Sequence, residues 1–233
     1  MAENKSGKNK GVDQVQTAYL EIRNLMFHNE IVPGQKLSYR ELAERLGMSQ
    51  TPVIQALKWI EFQNLVYREP HRGYFTAPVS IREVEEIYGL RELIETSLLP
   101  ETIRLLTPEK LQVLEAAMNS HIQASREPHI HARLVRDMEF HLVLADLSER
   151  EVHRQTLSHL FDRLYLKYGA NILFAASMKQ ADNDHQRLFE KIAGHDVRGA
   201  RKTLVCHIQR VKKHVLEGLE KIKQSREQDL VRI

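Results

Sequence analysis

Residues 37–57 read LSYRELAERLGMSQTPVIQAL and indicate two short helices joined by a tight turn. Ser38 followed by Glu41 is a capping box, in which each side chain satisfies a free N–H at the start of a helix. Leucine and alanine then recur at helical spacing until Gly47, which suits the left-handed position after a helix. The segment is therefore either an ordinary helical hairpin or a helix-turn-helix that places its second helix in the DNA major groove.

The flanking sequence favours the DNA-binding alternative. Residues 15–28 carry a stripe of apolar side chains that predicts an amphipathic helix, which a Pro-Gly pair ends. Beyond the second helix, which Ser49 or Thr51 can cap, two runs of β-branched and aromatic residues flank the polar residues 69–73. That pattern predicts a β-hairpin with glycine at its turn. Three helices and a two-stranded wing make a winged helix-turn-helix over residues 13–79.

This segment resembles the DNA-binding domain of the GntR superfamily of bacterial repressors. The resemblance rests on four motifs in order: Pro-Gly-x-x-Leu, Glu-Leu-Ala-x-x-Leu-Gly, Ser-x-Thr-Pro-Val and the wing glycine of RGYF. It implies a DNA-contacting set made of Arg40, Ser49, Gln50, Thr51, Ile54, Lys58, Arg72 and Gly73. Family members usually have guanine-reading arginines at the positions that Gln50 and Ile54 occupy here.

The two departures suggest a different operator. Gln50 stands at the N-terminus of the recognition helix, and Ile54 lies at the edge of its exposed face. Glutamine prefers the N6/N7 edge of adenine, and an aliphatic group can contact a thymine methyl. We therefore expect an operator richer in A·T at those positions than is usual for the family. Alternatively, Ile54 packs locally and contacts no base.

Composition limits the class of protein. With 42% hydrophobic and 28% charged residues among 233, the chain has the make-up of a soluble globular protein. No apolar run approaches the ~20 residues that span a bilayer, and Cys206 is the only cysteine, so we expect a reducing cytoplasm and no membrane. The net charge is only +3, so charge alone does not indicate nucleic-acid binding. Residues 1–12 are rich in Lys, Asn and Gly, and we expect a disordered tail.

A second, all-α domain is predicted for residues 80–228, after a short hinge at 76–80. Ser80 with Glu83 forms another capping box, and no strand alternation follows. Prolines and a glycine divide the remainder into helices at about 81–98, 108–126, 130–147, 150–167, 170–193 and 197–225. The pattern predicts a bundle of six or seven helices.

One acid and three histidines form a candidate metal site within this bundle. Asp137 and His141 are four residues apart on one predicted helix, so they share a face. His185 and His207 each lie 11 residues from residue 196, the turn of a predicted helical hairpin, so they can face each other. Such a set would bind Zn, Ni, Mn or Fe and leave coordination positions open. Because the chain has 12 histidines, coincidence is also possible, and we expect seven others to be surface or hydrogen-bonded residues: His121, His129, His131, His153, His159, His195 and His214.

The segments RDMEFHLVLADLS, DNDHQRLFEKIAGHD and RKTLVCHIQRV are similar to the FCD ligand-binding domain of FadR-type members of the same superfamily. The resemblance implies that Asp137, His141, His185 and His207 hold a divalent metal. Arg91, with Glu95, matches the Arg-x-x-x-Glu of that domain. The pair is either an exposed ion pair or an inward guanidinium that binds the carboxylate of an effector. The small-residue turn of the family, commonly Ser-Gly-Asn-Pro, is here replaced by residues 148–151, SERE.

The resemblance implies a homodimeric transcriptional regulator, in most cases a repressor, that binds a palindromic double-stranded DNA operator. A small organic acid would complete the coordination of the metal and control operator binding through the hinge. Two alternatives remain: a regulator that senses the metal directly, and a helical-bundle metalloenzyme. We expect no enzyme, because the chain has no His-Glu-x-x-His signature, and Glu139 points about 200° around its helix from Asp137.

Overall fold

A computed structural model of the chain describes residues 5–126, 130–173 and 179–231. The helices are α1 (Lys5–Phe27), α2 (Tyr39–Arg45), α3 (Gln50–Phe62), α4 (Ile81–Arg104), α5 (Pro108–Ala124), α6 (Ile130–Leu147), α7 (Glu151–Leu173), α8 (Lys179–Ala193) and α9 (Val197–Val231). The strands are β1 (Lys36–Leu37), β2 (Val66–Glu69) and β3 (Gly73–Thr76). This is the predicted class, a winged helix-turn-helix followed by a helical bundle. No helix of the described part is both long and apolar enough to cross a membrane.

The described residues form two compact units. The first contains the residues up to Val79 together with Tyr165–Gly169 of α7, and the second contains the rest. The sequence predicts a single second domain over residues 80–228, and Tyr165–Gly169 of α7 depart from that division. The reason is that Leu166 is buried within the apolar core of the first unit, which a linear reading of one long helix does not reveal.

The helix-turn-helix of the first unit begins and ends as its sequence predicts. The Ser38 hydroxyl accepts from the backbone N–H of Glu41 at 3.3 Å and caps α2. Gly47 follows that helix with φ +62°, and the next amide, that of Met48, donates to the Ala43 carbonyl at 2.9 Å. This is a Schellman ending, which favours glycine because a Cβ is disfavoured at that φ. Ser49 is the residue that precedes α3 as its N-cap, although its side chain makes no capping hydrogen bond.

The wing contains a third strand that the sequence did not predict. The sheet order is β1-β3-β2, all antiparallel, with Lys36 opposite Phe75. Thr76 fixes the loop before β1, because its hydroxyl donates to the Val32 carbonyl at 2.6 Å and accepts from the Gln35 amide at 2.8 Å. A two-residue strand is too short to produce an alternating pattern, so its formation depends on these tertiary contacts.

Helix α1 begins at Lys5, inside the segment that we expected to be a disordered tail. Residues 1–4 of that tail lie outside the described residues. Once a helix has nucleated on an apolar stripe, here Val15, Ala18 and Ile22, adding residues at its end costs little free energy. Composition alone therefore underestimated the length of this helix.

In the second unit, the predicted end of α4 at residue 98 is wrong, because the helix continues through Pro100 to Arg104. A proline loses one helical hydrogen bond, but Leu98, Leu99 and Ile103 around it are buried and offset that loss. The Thr102 hydroxyl also lies 3.1 Å from the Leu144 carbonyl of α6. Packing therefore outweighs the local signal.

The predicted break between 167 and 170 is also absent, since α7 runs on to Leu173 and α8 begins at Lys179. Residues 174–178, within the predicted helix 170–193, lie outside the described residues. A single glycine in a helix costs about 1 kcal/mol, which the buried neighbours Tyr165, Leu166 and Tyr168 of α7 offset. Helices α8 and α9 form the predicted hairpin, with His195 at φ +55° in its turn.

Candidate metal centre and DNA-binding surface

The four side chains predicted as metal ligands come together in the second unit. Helix α6 supplies Asp137 and His141, α8 supplies His185, and α9 supplies His207. All four are buried, and one donor atom from each lies within 4.8 Å of the others. Helical spacing explains the first pair, and equal distance from the hairpin turn explains the second. One carboxylate and three imidazoles are a donor set suited to a divalent transition metal.

A hydrogen bond orients one imidazole of the cluster, that of His141. Nδ1 of His141 donates to Oε2 of Glu95 at 2.6 Å, so its Nε2 presents a lone pair to the cluster. That Nε2 lies 3.4 Å from Nε2 of His185, which in turn lies 3.6 Å from Oδ1 of Asp137. Two ring nitrogens and a carboxylate oxygen therefore converge without bulk solvent between them, an arrangement that a cation stabilises.

The protonation states also suit a metal. Burial lowers the pKa of His185 well below its usual value, and the nearby His207 and His121 lower it further. Burial likewise lowers the pKa of His207. Burial alone would raise the pKa of Asp137, but the surrounding histidines and Arg91 outweigh it, so the net pKa is lowered. Neutral imidazoles and an ionised carboxylate are the forms that coordinate metal ions.

Arg91 and Glu95 form a buried pair behind the cluster, rather than the exposed ion pair of our simpler interpretation. Their side chains are each 3% exposed, and Nε of Arg91 lies 2.8 Å from Oε1 of Glu95. The guanidinium lies over the ring of Phe161, 4.2 Å from its centroid. Burial would raise the pKa of Glu95, but Arg91 and His141 outweigh it and lower the pKa to about 2. The guanidinium thus faces inward, while its contact with an effector remains a prediction.

Sequence reasoning missed three partners of the ligands: Glu95 behind His141, Asp184 beside His207, and His121. Asp184 lies 3.5 Å from Nδ1 of His207 and also pairs with Arg210. His121 is fully buried beside the cluster, not at the surface. Its spacing of three residues from the buried Met118 was a signal that α5 turns it toward the core.

Two residues or segments singled out in the sequence lie outside the cluster. Glu139 pairs with Arg136 and points away from the four donors, as its position on the helix predicted. The turn that replaces the small residues of the family places Glu149 at φ +59°, a conformation that glycine adopts more easily. The Ser148 hydroxyl donates to the Ala145 carbonyl at 2.6 Å and secures this turn.

Three of the predicted DNA contacts, Ile54, Lys58 and Gly73, line one groove of the first unit. Ser49, Gln50 and Thr51 are exposed at the start of α3, and Arg40 is exposed on α2. Further along α3, Ile54 is half-buried. The recognition helix and the wing together line a groove formed by Tyr39, Ile54, Lys58, Arg68, Glu69, His71, Gly73 and Tyr74. The exposed Arg72 of the wing pairs with Glu69.

The charges of this surface suit a phosphate backbone. Lys58 and Arg68 both line the groove, and Arg40 and Arg72 are exposed next along the chain to the lining residues Tyr39 and His71. The nearness of Lys58 to Arg68 was not visible in the nearly balanced charge of the first 79 residues. Contact of each residue with DNA stays a prediction.

A winged helix-turn-helix followed by a helical domain is an architecture typical of DNA-binding transcriptional regulators. Comparison with known families supports this. The family described as "Bacterial regulatory proteins, gntR family" matches residues 14–76, and the FCD domain family matches residues 86–210. The chain therefore belongs to the FCD-domain regulators of the gntR family. It is a DNA-binding transcriptional regulator and not an enzyme, as the sequence led us to expect.

Individual relatives agree with this assignment. The uncharacterized HTH-type transcriptional regulator YdhC of Bacillus subtilis is 22% identical over 208 residues, which are 89% of this chain and 93% of YdhC. The HTH-type transcriptional regulator McbR of Escherichia coli is 23% identical over 201 residues, or 85% and 91% of the two chains. The solved structure of E. coli McbR/YncC superposes with a TM-score of 0.75 at 21% identity, covering 88% of this chain and 97% of that one. At this identity the superposition shows the shared fold.

Proposed function

We propose that the protein is a homodimeric repressor whose affinity for its operator is controlled by a small organic acid bound at a metal site in the second unit. The observation that carries this proposal is the buried convergence of Asp137, His141, His185 and His207 within 4.8 Å. Four such donors suit Zn, Ni, Mn or Fe. A divalent ion held by them would offer its open coordination positions to a carboxylate.

The rest of the proposed effector site comes from α4. Arg91 is held by Glu95 and by the face of Phe161, so its orientation is fixed before any ligand arrives. A fixed guanidinium close to the cluster favours an anionic ligand, since it can pair with a carboxylate without losing side-chain freedom. The ligand class is therefore a small carboxylic acid, and a hydroxy acid or sugar acid has the additional oxygen to occupy a second open position.

Binding of the acid must be coupled to DNA binding. An effector changes operator affinity only if it binds one arrangement of the protein better than another. Helix α4 carries Arg91 and Glu95, and its N-cap Ser80 directly follows the segment that leads from the wing. We place the biased element at this connection, within residues 76–80.

The test uses the full chain after treatment with a chelator. An operator is first selected from random duplexes, and its dissociation constant is then measured by fluorescence anisotropy. Each sample contains Zn²⁺ alone, a panel of hydroxy acids and sugar acids alone, or both. We expect metal uptake with Zn²⁺ alone or with acid, and a change in operator affinity of 5-fold or more only when metal and acid are both present.

Matched variants define the outcome. His185→Ala should abolish both the metal uptake and the response to acid while operator binding remains, whereas His159→Ala, at an exposed position on α7, should behave as the unmodified protein. A response to Zn²⁺ alone would favour direct metal sensing. If the protein takes up no metal, or if acids act equally without it, the proposal is wrong.

A further inference from the structure

We propose that His121 is a positioning residue for the metal site: it donates a hydrogen bond to Asp137 and holds that carboxylate in its ligating orientation. The proposal rests on the proposed function, because it requires an ion at the four-donor cluster. His121 comes from α5, a helix that supplies none of the four donors.

The burial of His121 is the first supporting observation. The residue has no exposed surface, and it follows Leu114 and Met118 on the inward face of α5. A buried polar group without hydrogen bonds destabilises the folded protein by about 1–3 kcal/mol. A leucine at this position would avoid that cost. An imidazole here is therefore expected to have a polar role.

The neighbours of His121 supply that role. Its Nδ1 lies 4.0 Å from Oδ1 of Asp137, which is about 1 Å longer than a hydrogen bond. Its ring meets the ring of His185 edge to face, with the centroids 4.3 Å apart and an angle of 81°. His121 thus touches two of the four donors. A carboxylate that gives one lone pair to a metal keeps others that accept N–H groups, so a small side-chain movement completes the contact.

Two of the other three ligands show the same complementary arrangement. The His141 and His207 imidazoles are each backed by a carboxylate, Glu95 and Asp184 respectively. The one ligating carboxylate, Asp137, is backed by an imidazole. Partners of this kind fix the orientation of a ligand, and their loss typically weakens metal binding by about 10–100-fold.

Two substitutions separate the N–H donor from the bulk of the ring. His121→Phe keeps a ring but removes the donor, whereas His121→Asn places an amide N–H close to the position of Nδ1. Zn²⁺ affinity is measured by chelator competition, the absorption spectrum is recorded with Co²⁺, and thermal unfolding of the metal-free protein checks the fold. His159→Asn, at an exposed position on α7, is the control.

We expect His121→Phe to bind Zn²⁺ about 10–100-fold more weakly and to shift the Co²⁺ bands. His121→Asn should retain the affinity within about 3-fold and keep the spectrum. If His121→Phe does not fold, His121→Asn decides alone: retained affinity supports the proposal, and a loss of 10-fold or more with an intact fold overturns it.

The remaining outcomes are also distinct. If the unmodified protein binds no metal, the proposed function itself is wrong. If it binds metal and His121→Phe matches it in affinity and spectrum, only the role of His121 is refuted. A loss of one imidazole ligand in the X-ray absorption of His121→Phe would make His121 a ligand, which also overturns the positioning role.

Discussion

Replacing Glu95 by glutamine is expected to destabilise the metal-free protein by about 3 kcal/mol at pH 7. Glutamine has nearly the same shape, so the loss comes from the charge. The carboxylate of Glu95 lies 2.8 Å from Nε of Arg91 and 2.6 Å from Nδ1 of His141, inside the second unit. Without it, the buried guanidinium loses the counter-ion nearest to its Nε, and breaking a buried pair in this way generally costs about 3–5 kcal/mol.

The pKa of Glu95 gives a second value for the stability that its charge contributes. It falls from 4.5 to about 2 because the favourable charges of Arg91 and His141 exceed the cost of burial. Each unit by which a pKa is displaced on folding corresponds to ~1.4 kcal/mol, so the difference corresponds to about 3 kcal/mol of stability. The folded-state pKa is the lower one, so this contribution is fully present above pH 4.5 and is lost as the pH falls toward 2.

The control is another glutamate of the same helix. Arg82 and Glu86 also form an i,i+4 pair on α4, at 2.9 Å, but their side chains are 88% and 60% exposed. Such pairs contribute about 0–1 kcal/mol. Urea unfolding followed by circular dichroism should therefore show a much larger loss for Glu95→Gln than for Glu86→Gln, equal at pH 7 and pH 5. Similar effects of the two substitutions would refute the assignment of a strong buried pair.

Three further changes test the first unit. Gln50→Ala should reduce the preference for one base over the others at one operator position by about 1–3 kcal/mol, as measured by binding-site selection. If the variant and the unmodified protein select the same bases, Gln50 contacts no base. Lys58→Ala should lower the slope of log affinity against log salt by about 1, equally for specific and random duplexes. Gly47→Ala should cost about 1–2 kcal/mol in thermal unfolding because of its φ of +62°, whereas Gly89→Ala, inside α4, should not destabilise.

Helical periodicity explains why much of the candidate site was predictable. Asp137 and His141 share a face because of a spacing of four, and His185 and His207 meet because α8 and α9 form a hairpin about residue 196. Helical spacing involves one helix, and hairpin symmetry involves two consecutive helices. By contrast, Glu95 contacts His141 across 46 residues, and His121 reaches His185 only because α5 packs against α8 in the bundle. Contacts of this kind leave no pattern in the local sequence.

The fold shows the same division between local and tertiary signals. Capping at Ser38 and Ser80 was read from the sequence, because each cap bonds a residue three positions on. Pro100 and the two-residue strand β1 were misjudged, since the burial of surrounding side chains and the contacts of Thr76 decided them. Local rules thus succeeded where the partners are close along the chain.

The hydrogen bonds of Thr76 have a mechanical consequence for the connection that follows. The Ala77 amide also donates to the Leu65 carbonyl at 3.0 Å, and Ser80 is already the cap of α4. Pro78 and Val79 therefore span the interval between two anchored ends, and the ring of Pro78 fixes one of their torsions. A connection of two residues, one of them proline, has few backbone torsions that can change. If the proposed control by an acid acts through it, inserting a few Gly-Ser residues after Val79 should reduce the effect of the acid on operator affinity.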